Sequence, residues 1–235
     1  MTQAKLILLP GLLNDGRVWQ HQVEHLSRQA QVTIGDITQD DTVDAMARRV
    51  LAAAPPGPFA LAGLSMGGYV ALEIIRQAPQ RVLGLALVGT SARPDTPEGS
   101  EGRRKQMQQA ESDFEGVLSA LLPKMVHADH VDDPQRGGLF LRMARDAGVA
   151  VFKRQQLANI HRVDSRPFLA QITCPTLVLH GRQDSIMLAA VQDELVSGIG
   201  SAQHRVVEDC GHLAPMEQPA AVTAALAEWL ERIET

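Results

Sequence analysis

The feature that most constrains this chain is the alternation of short apolar runs with longer amphipathic ones. Lys5–Leu9, Val32–Ile37, Phe59–Leu64, Val82–Val88, Pro175–His180 and Gln203–Glu208 read as strands, most of them rich in Leu, Val or Ile. Helical patterns separate them. Val18–Gln29 places Val18, Trp19, Val23 and Leu26 on one face. Asp40 and Asp41 open a second helix whose stripe is Val43, Met46, Ala47, Val50 and Leu51, and Pro55-Pro56-Gly57-Pro58 stops it. Further helices are expected at Met66–Gln77, Leu188–Ser197 and Pro219–Ile233. Parallel strands need long crossover connections, so this order predicts an α/β fold with a parallel sheet flanked by helices.

The rhythm breaks between about Ser91 and Pro167, a polar, helix-prone stretch without a convincing strand. We therefore expect residues 91–167 to form a helical cap on a core built from 1–90 and 168–235. At 235 residues, 45% of them hydrophobic, the chain can bury a large single core.

Charge and composition exclude several classes. Net charge is −5 and Arg103-Arg104-Lys105 is the only tight basic run, so nucleic acid is not an expected partner. The first apolar run ends at Pro10-Gly11, too short for a signal peptide or for the ~20 residues of a membrane span. Cys174 and Cys210 have no metal spacing, which favours a reduced, cytoplasmic setting. His127, Asp129, His130, Asp132 and Asp133 crowd together near Pro134, but without ligand geometry they read as a solvated loop. Neither a metal nor an organic cofactor is expected. Oligomeric state is left open.

Gly63-Leu64-Ser65-Met66-Gly67 fits G-x-S-x-G between an apolar strand and a helix-like stretch. A sharp strand-to-helix turn needs small residues beside the serine and lifts its hydroxyl above the sheet at a helix N-terminus. A hydroxyl needs a base. Of eight histidines, His212 stands on a loop just past the last strand, at the sheet edge where ligands bind. Asp184 follows the preceding strand in the same position and is the expected acid, with Asp95 and then Asp36 as the alternatives. Ser65, Asp184 and His212 thus make the candidate triad. The backbone N–H groups of Met66 and of Leu12, in the turn after the first strand, are the expected oxyanion donors.

These motifs resemble those of compact α/β-hydrolases, in particular small bacterial carboxylesterases such as pimeloyl-ester esterases and enol-lactonases. The resemblance runs from Leu6 to Leu230. It rests on G-x-S-x-G-G at Gly63–Gly68, G-x-x-D at Gly181–Asp184, G-H at Gly211-His212, and Trp19 at the expected distance after Gly11. It implies a six-stranded, mostly parallel sheet. The chain departs from many relatives in having Pro10-Gly11 in place of His-Gly and in lacking an N-terminal hairpin.

The expected activity is serine-dependent hydrolysis of a carboxylic ester through an acyl-enzyme, with a small, largely apolar molecule as substrate. Thioester, lactone and carbon–carbon cleavage use the same constellation, as does a lyase resembling the menaquinone-pathway synthase. A non-catalytic receptor of this fold is the alternative from another class. Leu13, Trp19, Met125, Met187 and Leu213 are the expected substrate-contacting residues. Arg17, Arg142, Arg145, Arg154 and Arg182 are the expected suppliers of any buried cation for an anionic acyl tail.

Overall fold

All six apolar runs form strands, and the strands pair in parallel in a single sheet. They are β1 (Ala4–Leu9), β2 (Ala30–Ile34), β3 (Phe59–Leu64), β4 (Val82–Val88), β5 (Thr176–Gly181) and β6 (Ala202–Val207), in the order β2-β1-β3-β4-β5-β6. The computed structural model describes residues 3–233. Met1, Thr2, Glu234 and Thr235, at the ends of the expected core, lie outside the described residues.

Alternation along the strands divides the core into two layers. Leu6, Leu8, Ala62, Val88 and Leu179 face one layer, covered by α1 (Gln20–Leu26) and α9 (Pro219–Glu231). Ile7, Leu9, Leu61, Leu87 and Val178 face the other, covered by α2 (Val43–Ala53), α3 (Met66–Gln77) and α7 (Ala189–Gly198). Every residue of β3 and β5 is buried. Each buried Leu, Ile or Val side chain contributes about 1.5–3 kcal/mol.

The strand order reverses direction between β1 and β3. The chain leaves β1 toward β2 and leaves β3 toward β4, so the connections part above these two adjacent strands. That opening, at the carboxyl ends, is where open parallel sheets bind ligands. Residues 89–175 cross from β4 to β5 through α4 (Pro97–Ala110), α5 (Phe114–Met125) and α6 (Gly137–Ile160). Gly148, at φ 75°, breaks the regular backbone of α6. Phe114, Leu118, Phe140, Met143 and Phe152 pack these helices together and onto the first core layer. A short helix, α8 (Ala214–Glu217), precedes α9.

Several boundaries differ from those expected. Helix α2 is opened by Thr42 and not by Asp40 or Asp41: the Thr42 hydroxyl accepts the Ala45 N–H at 3.2 Å, while Asp40 pairs with Arg49 at 2.6 Å. The first helix begins as a 3-10 turn, Gly16–Trp19, capped by Asp15. Removing the cap of α2 should cost about 1 kcal/mol. We therefore expect Thr42→Ala to lower the unfolding free energy read from urea titration by that amount, with the slope of the transition unchanged.

Candidate active site

The elbow is built by close approach. Ser65 ends the run from β3 with φ 52° and ψ −115°, in the left-handed region that non-glycine residues rarely enter. Its N–H donates to Val88 O at 2.8 Å, and its carbonyl accepts the Thr90 hydroxyl at 2.7 Å and the Gly68 N–H at 2.8 Å. A Cβ on Gly63 would strike the Gly67 carbonyl, and one on Gly67 would strike the carbonyls of Leu9 and Pro10. The two glycines of the motif thus allow β3, α3 and the end of β1 to meet at one point.

His212 and Asp184 reach the same point from the ends of β6 and β5. His212 Nε2 lies 2.8 Å from Ser65 Oγ, and His212 Nδ1 lies 2.8 Å from Asp184 Oδ2. The other Asp184 oxygen accepts the N–H groups of Ile186 and Met187 at 2.8 and 2.9 Å. Burial by itself would push the Asp184 carboxyl up. The charge and hydrogen bond of His212 and the two backbone donors outweigh it, and the carboxyl is held below the ordinary aspartate value. All three side chains are at least nine-tenths buried.

Asp95 is occupied elsewhere. Its buried carboxylate pairs with Arg103 at 3.2 Å and Arg162 at 3.1 Å. Asp36 caps its own loop, accepting from Thr38. Among the described residues, no group of three or more His, Cys, Asp or Glu side chains is arranged to hold a metal ion. His130 of the polar cluster instead contacts Glu217 at 2.8 Å. Burial pushes the Cys210 thiol well up, so this residue near His212 is a neutral filler. No described helix is long and apolar enough to cross a membrane.

A cavity of about 260 Å³ opens on Ser65 and His212. Of the residues named from the sequence, Leu12 and Met66 (the expected oxyanion donors) and Met125 and Met187 line it. Leu13, Trp19 and Leu213 do not, and these three assignments are corrected. The Leu13 and Leu213 side chains are fully buried in the first core layer. Trp19 is also fully buried and spends its indole N–H on Leu9 O at 3.1 Å. Nearness in sequence to a reacting residue does not set side-chain direction, because successive residues in a turn point different ways.

Helices α4, α5 and α6 supply a polar wall that the sequence expectations do not include. Arg103 and Gln106 come from α4, Lys124 from α5, and Gln156 and Asn159 from α6. A signal was present. Gly99, Gly102, Arg103 and Gln106 recur at helical spacing, marking one face of α4 with small and polar residues where a packed helix would carry apolar ones. Arg103 is neutralised by Asp95 and bonded to Gln156 at 2.7 Å. Lys124 is exposed and has no ion-pair partner among the described residues. None of Arg17, Arg142, Arg145, Arg154 and Arg182 reaches the cavity. Arg17, Arg145 and Arg182 are paired with carboxylates, and Arg142 and Arg154 donate to backbone carbonyls.

Comparison with known proteins agrees with this architecture. A pimeloyl-[acyl-carrier protein] methyl ester esterase of Nitrosomonas europaea is 28% identical over 223 residues, 88% of each chain. A thermophilic esterase from Thermogutta terrifontis, solved with malate bound, superposes with a TM-score of 0.91 at 32% identity, covering 100% of this chain and 92% of that one. The enol-lactonase from Burkholderia xenovorans shares the fold, with a TM-score of 0.85 at 22% identity over 98% of this chain and 92% of its own. The family profile of the α/β-hydrolase fold matches residues 5–219, so the chain belongs to the α/β-hydrolase family.

Proposed function

We propose that this protein hydrolyses a carboxylic ester through an acyl-enzyme, with Ser65 as nucleophile, His212 as general base and acid, and Asp184 as the carboxylate that orients the imidazole. The single observation that carries this reading is the continuous chain from Ser65 Oγ through both ring nitrogens of His212 to Asp184, each link 2.8 Å long. His212 Nε2 takes the Ser65 proton as Oγ bonds to the ester carbon. The tetrahedral oxyanion is held by the N–H groups of Met66 and Leu12. Met66 is the first residue of α3, so its N–H has no partner inside the helix and lies at the positive end of the dipole. Leu12 lines the same cavity. His212 then returns the proton to the departing alkoxide, and water repeats the sequence to free the acid and Ser65.

The cavity supports a small substrate that is apolar beside the scissile bond. Leu12, Met66, Leu121, Met125, Ile186 and Met187 supply that surface. Each methylene buried there contributes about 0.8 kcal/mol until the space is filled. The two esterases above are consistent with this class of bond, and ester hydrolysis is the activity we assign. Helices α4–α6 act in this reading as the cap that selects the acyl or alcohol group.

Two measurements test the reading. Asp184→Asn should keep the fold and lower kcat by about 10⁴, the cost of losing the orienting carboxylate in a serine hydrolase. Asp95→Asn should lower stability by up to about 3 kcal/mol, because it removes the charge partner of Arg103 and Arg162, and leave kcat of the folded protein near wild type. The reverse pattern would transfer the acid role to Asp95. In a p-nitrophenyl ester series from acetate to dodecanoate, kcat/KM should rise and then fall, with monomethyl pimelate a poorer substrate than neutral esters of similar length. A preference for the half-ester that disappears in Lys124→Ala would replace the apolar reading with an anionic one.

A further inference from the structure

Glu217, the last residue of α8, is fully buried and touches none of the reacting groups. Its carboxylate accepts four hydrogen bonds. Oε1 takes the Leu213 N–H at 3.0 Å, and Oε2 takes the N–H groups of Gly211 at 3.2 Å and His127 at 2.6 Å. Oε2 also receives His130 Nδ1 at 2.8 Å. Two of these donors flank His212 in the chain. The other two belong to the turn that follows α5 in the cap.

A buried carboxylate is costly unless donors surround it. No lysine or arginine pairs with this side chain among the described residues. The chemistry of the cluster explains why a carboxylate is suited to it. Four donors converge, and an ionised carboxylate is acceptor-only with about four lone-pair sites, whereas an amide would aim two of its own donors at them. The contact is also tight sterically. A Cβ on Gly211 would lie 2.5 Å from His127 N and 3.1 Å from Glu217 Oε1. The Leu213 N–H additionally reaches Met125 O at 3.1 Å, and Met125 lines the cavity.

We infer that Glu217 is a positioning residue that clamps the backbone on both sides of His212 and ties it to the cap turn at His127–His130. The inference rests on His212 being the base proposed above. The imidazole must meet Ser65 and Asp184 at once, and it hangs from a loop of non-repetitive backbone that includes Asp209 at φ 50°. With Glu217 in place, the loop is held by a charge-assisted network, and the base is registered against the turn that follows Met125 of the cavity wall. A displacement near 1 Å at such a site can cost about 10² in rate.

The test compares Glu217→Gln, His130→Ala and wild type on p-nitrophenyl acetate, with rates expressed per folded molecule from urea unfolding at the assay temperature. Ser65→Ala runs beside them. Glu217→Gln should lower kcat about 10²-fold with KM within about twofold, because the cavity walls are untouched. His130→Ala, which keeps the carboxylate and removes one cap donor, should lower kcat several-fold in the same direction. The low-field proton resonance of the His212–Asp184 hydrogen bond should be broadened or lost in Glu217→Gln. A merely structural role would reduce the folded fraction and leave kcat per folded molecule and the resonance unchanged, and that result overturns the inference. If Glu217→Gln does not fold, His130→Ala decides: an unchanged kcat refutes the link to the cap. Loss of activity in Ser65→Ala with full activity in Glu217→Gln refutes this inference alone, whereas retained activity in Ser65→Ala refutes the proposed chemistry itself.

Discussion

Ser65 is held in a left-handed backbone conformation by three hydrogen bonds, and the rest of the site is arranged around that turn. Such a conformation costs on the order of 1–3 kcal/mol and persists only where the surroundings over-determine it. Here the surroundings are β4, which accepts the Ser65 N–H, and Thr90, which holds its carbonyl. The turn points the hydroxyl out of the sheet at the place where β1 and β3 send their connections in opposite directions. Helix α3 begins at once, so the first free N–H of a helix stands beside the hydroxyl.

The partners of Ser65 arrive on loops, and each loop is stiffened by a carboxylate that accepts backbone N–H groups. Asp184 holds its own turn through Ile186 and Met187 while presenting its other oxygen to His212. Glu217 does the same for the His212 loop from behind. Asp95, by contrast, holds the cap by pairing Arg103 of α4 with Arg162, whose guanidinium lies 4.7 Å from the centre of the Tyr69 ring. Three buried carboxylates thus share the work of organising the site, and only Asp184 meets the histidine.

The core of this arrangement was legible in the sequence because it depends on local rules. Apolar runs of strand length and the glycines around Ser65 follow from backbone geometry, while the chain order Ser65, Asp184, His212 is the order expected of this fold. Strand β2 was displaced, expected at Val32–Ile37 and found at Ala30–Ile34, because its extent is set by pairing with β1. Pairing starts at Ala4 with Ala30, and β1 ends before Pro10, which has no N–H to give. Side-chain direction was the harder problem. Leu13 and Leu213 sit beside the chemistry in sequence yet turn into the core, as does Trp19, while Arg103, Gln106, Gln156 and Asn159, far away in sequence, line the cavity. Glu217 was invisible for a related reason: its donors come from two separate segments, and nothing local to α8 announces them.

Active-site labelling tests the central claim most directly. Intact-protein mass spectrometry after exposure to a fluorophosphonate should show one adduct per chain, mapped by peptide sequencing to Ser65, and none in a folded Ser65→Ala variant. Undiminished labelling of that variant, or an adduct on any other residue, would contradict the account.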